Sequence, residues 1–257
     1  MGVMDTDTRY NLASAELEEI KRMLKRGDFD AARRLAHRAG EDFARDRNPL
    51  GQIWVRLYHA DISFGLGAFQ LALEESFRCL ELFSSLGNRE GMGWASRNLQ
   101  RSFCMLGQMS RSLDHGKIAL EIFDTLKDPK GASVAMRWIG VAHQNMGELQ
   151  TARVETITAM RQFFYVGDVA RMLECIHDLG FLAVKEGRPA EALRLHHYVL
   201  RHTQSPRWAL IHVMSSIGRL EAQGARLPEY KAPLDLLVPA LLSGKDLSFD
   251  PHSRVIT

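Results

Sequence analysis

Two arginines and a histidine recur at one position of a repeated pattern, and they carry the sharpest chemistry in the chain. Arg97, Arg137 and His177 stand forty residues apart, with Leu57 one step earlier. A guanidinium presents a planar fork of donors that matches a carboxylate at two points. Stacked copies of one unit place equivalent side chains one above another, so Arg97 and Arg137 are expected to form a ladder with His177 next in line. Asp61, Arg101, Gln144, Asn145 and Lys185 fall on the same helical faces, and Asn98 adjoins Arg97. The set predicts a strip that holds acidic groups through Arg97, Arg101 and Arg137, with amide contacts from Asn98, Gln144 and Asn145. The competing expectation is that these arginines solvate an inner wall or pair with glutamates of adjacent helices.

Other chemistry is sparse. His196, His197 and His202 share one predicted helix, but no His-Glu-x-x-His occurs. His196 falls in a row with Ala36, Ser76, Gly116 and Thr156, so a packing role is expected and no metal site. Gly65-Leu66-Gly67 opens like a dinucleotide fingerprint but lacks its third glycine and a preceding strand, and there is no phosphate-binding loop. No nucleophile and base can be paired from sequence alone, since such groups meet only in space. The reading is a chain that is not an enzyme and has no cofactor.

Lysine and arginine total 33 against 31 acidic residues, a net charge of +2, so no direct nucleic-acid binding is expected. Cys79, Cys104 and Cys175 cannot all pair and form no Cys-x-x-Cys; they read as small buried hydrophobes in a reducing, cytoplasmic setting. No apolar run approaches the roughly 20 residues of a membrane span.

The elements that must position the strip follow from the same period. Gly27, Gly67, Gly107, Gly147 and Gly187 are forty residues apart. Phe43, Phe83, Phe123 and Phe163 keep that step, and so do Asn48, Asn88, Asp128 and Asp168. Three chemically different rows locked to one period mean a repeated supersecondary unit. Each glycine ends one helical pattern and precedes another, where a residue free to take positive φ can stop a helix and turn the chain. The Asn/Asp row supplies N-caps, with proline next in Asn48-Pro49, Asp128-Pro129 and Ser205-Pro206.

Five residues past the glycines stand Ala32, Ala72, Ser112, Ala152 and Ala192, small enough to let paired helices approach. Ala39, Cys79, Ala119, Ala159 and Val199, then Leu80, Leu120, Met160 and Leu200, then the phenylalanines, complete one apolar face. First helices are predicted over 8–26, 49–66, 89–106, 129–146, 169–186 and 206–222, and partner helices over 28–45, 68–85, 108–125, 148–165 and 188–203. Nothing reads as a strand.

The turn Gly27-Asp28-Phe29 with Ala32 and, seven residues later, Ala39 resembles the tetratricopeptide repeat. Leu179-Gly180 matches that motif's leucine-glycine pair and Ile139-Gly140 nearly does, whereas Leu99-Gln100, His59-Ala60 and Glu19-Ile20 depart from it. The forty-residue form, with Gly87-Asn88 and Gly167-Asp168 before the next unit, is similar to repeats in the C-terminal halves of large bacterial signal-transduction ATPases and transcriptional activators.

The resemblance implies an all-α, right-handed α-solenoid of stacked antiparallel helix pairs, about five repeats with a C-terminal capping helix or helices. It also implies a non-catalytic scaffold whose concave groove, lined by the strip above, takes a protein or peptide. An effector-sensing module of a larger signalling ATPase or transcription regulator is the alternative. Residues 1–7 are expected as a flexible leader, 8–243 as the superhelical domain and 244–257 as a mobile tail. The apolar run from Leu234 to Leu242 is expected to fold back as a cap or to pair with a second copy of the chain.

Overall fold

Every helix pair turns on a residue with positive φ. In the computed structural model, which describes residues 6–226 together with Val238 and Leu241, with side chains from residue 15 onward, the glycine row takes φ from +70° to +85°. Two hydrogen bonds close the turns at Gly27, Gly67, Gly107 and Gly187. At the first, Asp28 N–H donates to the Met23 carbonyl at 3.0 Å and Gly27 N–H to that of Leu24 at 3.1 Å, satisfying carbonyls that the helix end would otherwise orphan. The turn between one pair and the next uses the same device. There Gly87 and Gly167 take φ +63° and +70°, while Arg47 and Lys127, in the same row, take +52° and +54°. A side chain with a β-carbon is strained in that region.

The chain divides into two compact units, Met1–Met146 and Gly147–Thr257. The first contains α1 (Thr6–Arg26), α2 (Phe29–Arg45), α3 (Pro49–Gly65), α4 (Phe69–Ser85), α5 (Arg89–Met105), α6 (Met109–Thr125) and α7 (Pro129–Met146). The second contains α8 (Leu149–Tyr165), α9 (Val169–Lys185), α10 (Pro189–Arg201) and α11 (Arg207–Ala222). Among the described residues there is no strand. Within each unit successive helices pack on one another; α1, α3, α5 and α7 also touch in sequence, as α9 touches α11. The expected helices are thus present with ends shifted by one residue at most, save α1 and α10, where an end shifts by two. Of the flexible leader expected over 1–7, Thr6 and Asp7 begin α1 instead, while residues 1–5 and the tail expected over 244–257 lie outside the described residues; of the apolar run, Val238 and Leu241 are described, both helical and buried.

Asparagine and aspartate start the first helices as expected. Asn48 Oδ1 accepts from Gly51 N–H at 2.9 Å, Asn88 Oδ1 from Gly91 N–H at 2.6 Å, Asp128 Oδ1 from Gly131 N–H at 3.0 Å and Asp168 Oδ1 from Arg171 N–H at 3.3 Å. Ser205 departs from the pattern. Its hydroxyl donates to the Val199 carbonyl at 2.5 Å, and α11 begins at Arg207 without a side-chain cap. The Ser205 side chain therefore serves the end of α10, not the start of α11.

The phenylalanine row is the centre of the packing, 0–4% exposed. Each ring in the first unit lies against bare backbone in the following helix. A β-carbon on Gly51, Gly91 or Gly131 would come within 2.3–2.4 Å of Phe43, Phe83 or Phe123. Trp54 and Trp94 close over two of these rings, at 5.0 Å from Phe83 and 4.9 Å from Phe123. In the second unit Arg171 replaces the glycine, its guanidinium 6.0 Å from the Phe163 ring. The compact rows behind the phenylalanines are buried throughout, but Leu80, Leu120 and Leu200 are only half-buried where the apolar face predicts full burial; Met160 alone is fully covered.

Two contacts inside the pairs trade volume. In the first unit Gln100 of α5 lies against Gly116 of α6, where a β-carbon would sit 2.4 Å from Gln100 Nε2, and that amide donates to the Ala135 carbonyl at 2.9 Å. In the second the large partner is reversed: Gly180 of α9 faces His196 of α10, and a β-carbon on that glycine would stand 2.4 Å from the imidazole ring. His196 is fully buried, as its row predicts, and neither ring nitrogen has a hydrogen-bond partner. Burial, with His177 and His197 nearby, pushes its pKa down to about 3.

Three outcomes follow from these turns and contacts. Lys127→Gly should raise stability by about 0.5–1 kcal/mol by relieving the strained turn, and Gly91→Ala should lower it by about 1–3 kcal/mol through overpacking against Phe83; urea unfolding midpoints measure both. Between pH 6.5 and 3 the unfolded His196 binds a proton that the folded side chain refuses, so acidification across that window should remove about 1.4 kcal/mol per pH unit. Stability measured against pH should fall less steeply in His196→Leu over the same range.

Candidate functional site

The polar strip is built on the first helices, because the second helices commit their inner faces to the phenylalanine and small-residue rows. Within the first unit the structure brings Asp61 of α3 together with Arg97 and Arg101 of α5. Arg97 Nη1 stands 3.4 Å from Asp61 Oδ1, and Arg101 Nη2 donates to the same oxygen. Asp61 and Arg101 are equivalent residues one repeat apart, while Arg97 is one helical turn before Arg101 on α5. The three side chains retain only 11–13% of their exposure. Each guanidinium also lies against an aromatic face: Arg97 is 5.0 Å from the Trp94 ring and Arg101 is 4.0 Å from that of Phe64. Arg137 of α7, 6% exposed, lies 5.4 Å from the Trp138 ring.

The remaining candidates distribute as follows. Asn98 is 1% exposed, and neither amide atom has a hydrogen-bond partner. Asn145 is exposed and donates to Cys104 Sγ at 3.7 Å; Gln144 is half-buried. Phe64 meets Trp138 edge-to-face at 5.8 Å. The sequence reading leaves Phe64 and Trp94 out of the site. Their only signal is position: Phe64 lies one turn beyond Asp61, and Trp94 one turn before Arg97.

His177 and Lys185 belong to the second unit. Lys185 is exposed. His177 is buried, its Nδ1 3.0 Å from Asp178 Oδ1. Its ring is 4.8 Å from Phe181, 4.9 Å from Trp208 and 5.9 Å from His212, so it joins an aromatic cluster that docks α11 on α9. A separate charged clasp links α8 to the turn before α10. Arg153 bonds Glu186 at 2.5 Å and Glu191 at 3.1 Å, and Arg188 bonds Glu191 at 2.7 Å as well as Glu186. Burial alone would raise the Glu186 pKa, but the hydrogen bonds from Arg153 and Arg188 outweigh it and hold the carboxyl below its ordinary value. These four groups satisfy one another.

In the first unit two guanidiniums converge on one carboxylate. In a partly desolvated setting with aromatic walls, such a group can recognise carboxylates and apolar side chains together. Reactive forms are suppressed instead of promoted. Burial pushes the Cys79 thiol up to about 12 and raises the Tyr58 phenol well above its ordinary value. All three cysteines are buried and unbridged. Among the described residues no three His, Cys, Asp or Glu side chains are placed to hold a metal ion. No described helix is long and apolar enough to cross a membrane.

No protein-family model matches the sequence, and neither does any curated protein. Solved structures do match in fold. BtubC (BKLC) from P. vanneervenii is 17% identical with a TM-score of 0.52, over 89% of this chain and 96% of that one. A signal transduction ATPase with numerous domains and a tetratricopeptide repeat sensor, from Pyrococcus horikoshii, is 10% identical with a TM-score of 0.55, over 92% of this chain. The match spans 39% of that longer ATPase. With its all-helical pairs, positive-φ turns and buried small-residue rows, the chain is a tetratricopeptide-like repeat protein in fold.

Proposed function

We propose that this chain is a non-catalytic, cytoplasmic scaffold that binds a protein or an extended peptide segment through the inner face of its first helices. The observation that carries the reading is the convergence of Arg97 and Arg101 on the single carboxylate of Asp61. The aromatic faces under both guanidiniums hold them in place beside that carboxylate. A partner with acidic and apolar residues complements such a surface. Gln144 and Asn145 extend it along α7.

A second reading is favoured by the match to a repeat sensor within a longer ATPase. On that reading the repeats receive an effector for a larger signalling protein or transcription regulator, in the same polypeptide or in trans. The mass of the product made by the native cell separates covalent linkage from action in trans.

Selection of displayed random peptides on the immobilised protein tests the leading reading. The enriched peptides should carry an excess of Asp and Glu, and their binding should weaken as salt rises. Arg97→Gln combined with Arg101→Gln should abolish that acidic preference and reduce affinity about tenfold or more, as expected for losing charge-assisted hydrogen bonds. Unchanged enrichment in the double variant would remove the arginines from the binding surface.

A further inference from the structure

The first unit holds two features that its fold does not need. One is an aromatic contact that skips a helix. Phe64 belongs to α3 and Trp138 to α7, two repeats apart, yet their rings meet at 5.8 Å with an interplanar angle of 89°. The helix between them, α5, packs on both. The other is the Asn98 amide of α5, 1% exposed, with neither Nδ2 nor Oδ1 hydrogen-bonded. An amide has two donors and two acceptor lone pairs, and burying it unsatisfied is unfavourable by a few kcal/mol. Native folds keep such groups rarely, and each calls for a cause.

We infer that the Phe64–Trp138 contact is a strap that holds the inner wall of the first unit shut across α5, and that parting it uncovers Asn98 and the Arg97–Arg101 pair for an extended acidic segment. The inference rests on the binding reading above for its occupant, but not for its test. When the strap is closed, Asp61 fills the place of a partner carboxylate on Arg101, and Asn98 is left without hydrogen bonds. When it is open, a peptide group can satisfy the Asn98 amide at both of its ends, which lowers the free energy of the open state only when a partner is present. The device is therefore an internal competitor: Phe64 lies on the Arg101 guanidinium at 4.0 Å and on Trp138 at the same time. Loss of either ring loosens both the aromatic closure and the cover over the cation.

Cys104 reports on the opening without any partner. It lies on α5, one forty-residue step after Phe64 and so in the same row of the wall, and it is 3% exposed. Cys79, in the same unit, is buried between α4 and α3, with its thiol 3.8 Å from the Ile53 carbonyl, and serves as the internal control. The experiment is a pulse of methyl methanethiosulfonate on the full chain, with the labelled cysteines identified by peptide mass spectrometry. The quantity read is the ratio of the Cys104 rate to the Cys79 rate, which cancels general loosening. Phe64→Ala and Trp138→Ala should each raise that ratio about three- to tenfold, the population shift that loss of one edge-to-face pair produces. Phe64 also touches Phe69 and Arg101, so the double variant should match Phe64→Ala and go no further. Phe64→Tyr, which keeps the ring, should retain the parent ratio. If a truncated variant fails to fold, Phe64→Leu carries the same comparison. An unchanged ratio, or increases that multiply in the double variant, overturns the strap. Failure of the acidic-peptide selection would instead count against the binding reading and leave the labelling result standing.

Discussion

The structure depends on how closely one helix can approach the next, and a phenylalanine ring lying on bare backbone sets that distance. Phe43, Phe83 and Phe123 each occupy the space that a β-carbon would need on Gly51, Gly91 or Gly131. Dispersion energy falls steeply with separation, so a ring in direct contact with a glycine backbone gains contacts that a methyl group would forfeit. Trp54 and Trp94 seal two of these rings from the far side. The small residues at Ala32, Ala72 and Ser112 act in the same way inside each pair, where their burial is complete or nearly so. Close approach by the second helices brings the faces of α3, α5 and α7 within reach of one another. The Asp61–Arg97–Arg101 cluster and the Phe64–Trp138 contact exist because of that geometry.

The side chains with the largest titration shifts are held in their neutral forms. A catalytic nucleophile or base needs a pKa moved toward neutrality. Here Cys79 is driven away from the thiolate and His196 away from the imidazolium, both mainly by burial. The arginines of the strip keep their proton whatever surrounds them. The flat face of Phe64 favours a guanidinium over a hydrated ammonium, and that favours a fixed fork over a mobile point charge.

The sequence is most informative where one physical demand recurs in every copy. Positive φ at the turn admits few residues, so Gly27 through Gly187 announce the helix ends, and the Asn/Asp row announces the starts. Arg47 and Lys127 hide the same demand, because the chain tolerates strain there that a reader of residue types does not see. The glycines under the phenylalanines are hard to recognise as a row because Arg171 breaks it. The site is legible only in part. Opposite charges one full repeat apart, Asp61 and Arg101, are visible as a spacing, but a ladder of like residues, Arg97 and Arg137, is the more obvious pattern. Phe64 and Trp138 come from non-equivalent rows two repeats apart, and no periodicity joins them. Ser205 misleads because a serine before a proline resembles a helix start while its hydroxyl finds a better acceptor behind it.

The paired volumes inside the helix hairpins have a consequence for how such a chain can change over evolutionary time. Gln100 fits only because Gly116 yields room, and His196 fits only because Gly180 does. These two hairpins thus carry private keys, cut differently although the teeth around them look alike. Recombination that joined α5 to α10 would set an amide against an imidazole in a slot built for one of them, and joining α9 to α6 would set two glycines across an empty gap. Whole hairpins can be copied or lost as blocks, but their halves cannot be exchanged, so lineages of this architecture should drift in coupled pairs of positions sixteen residues apart.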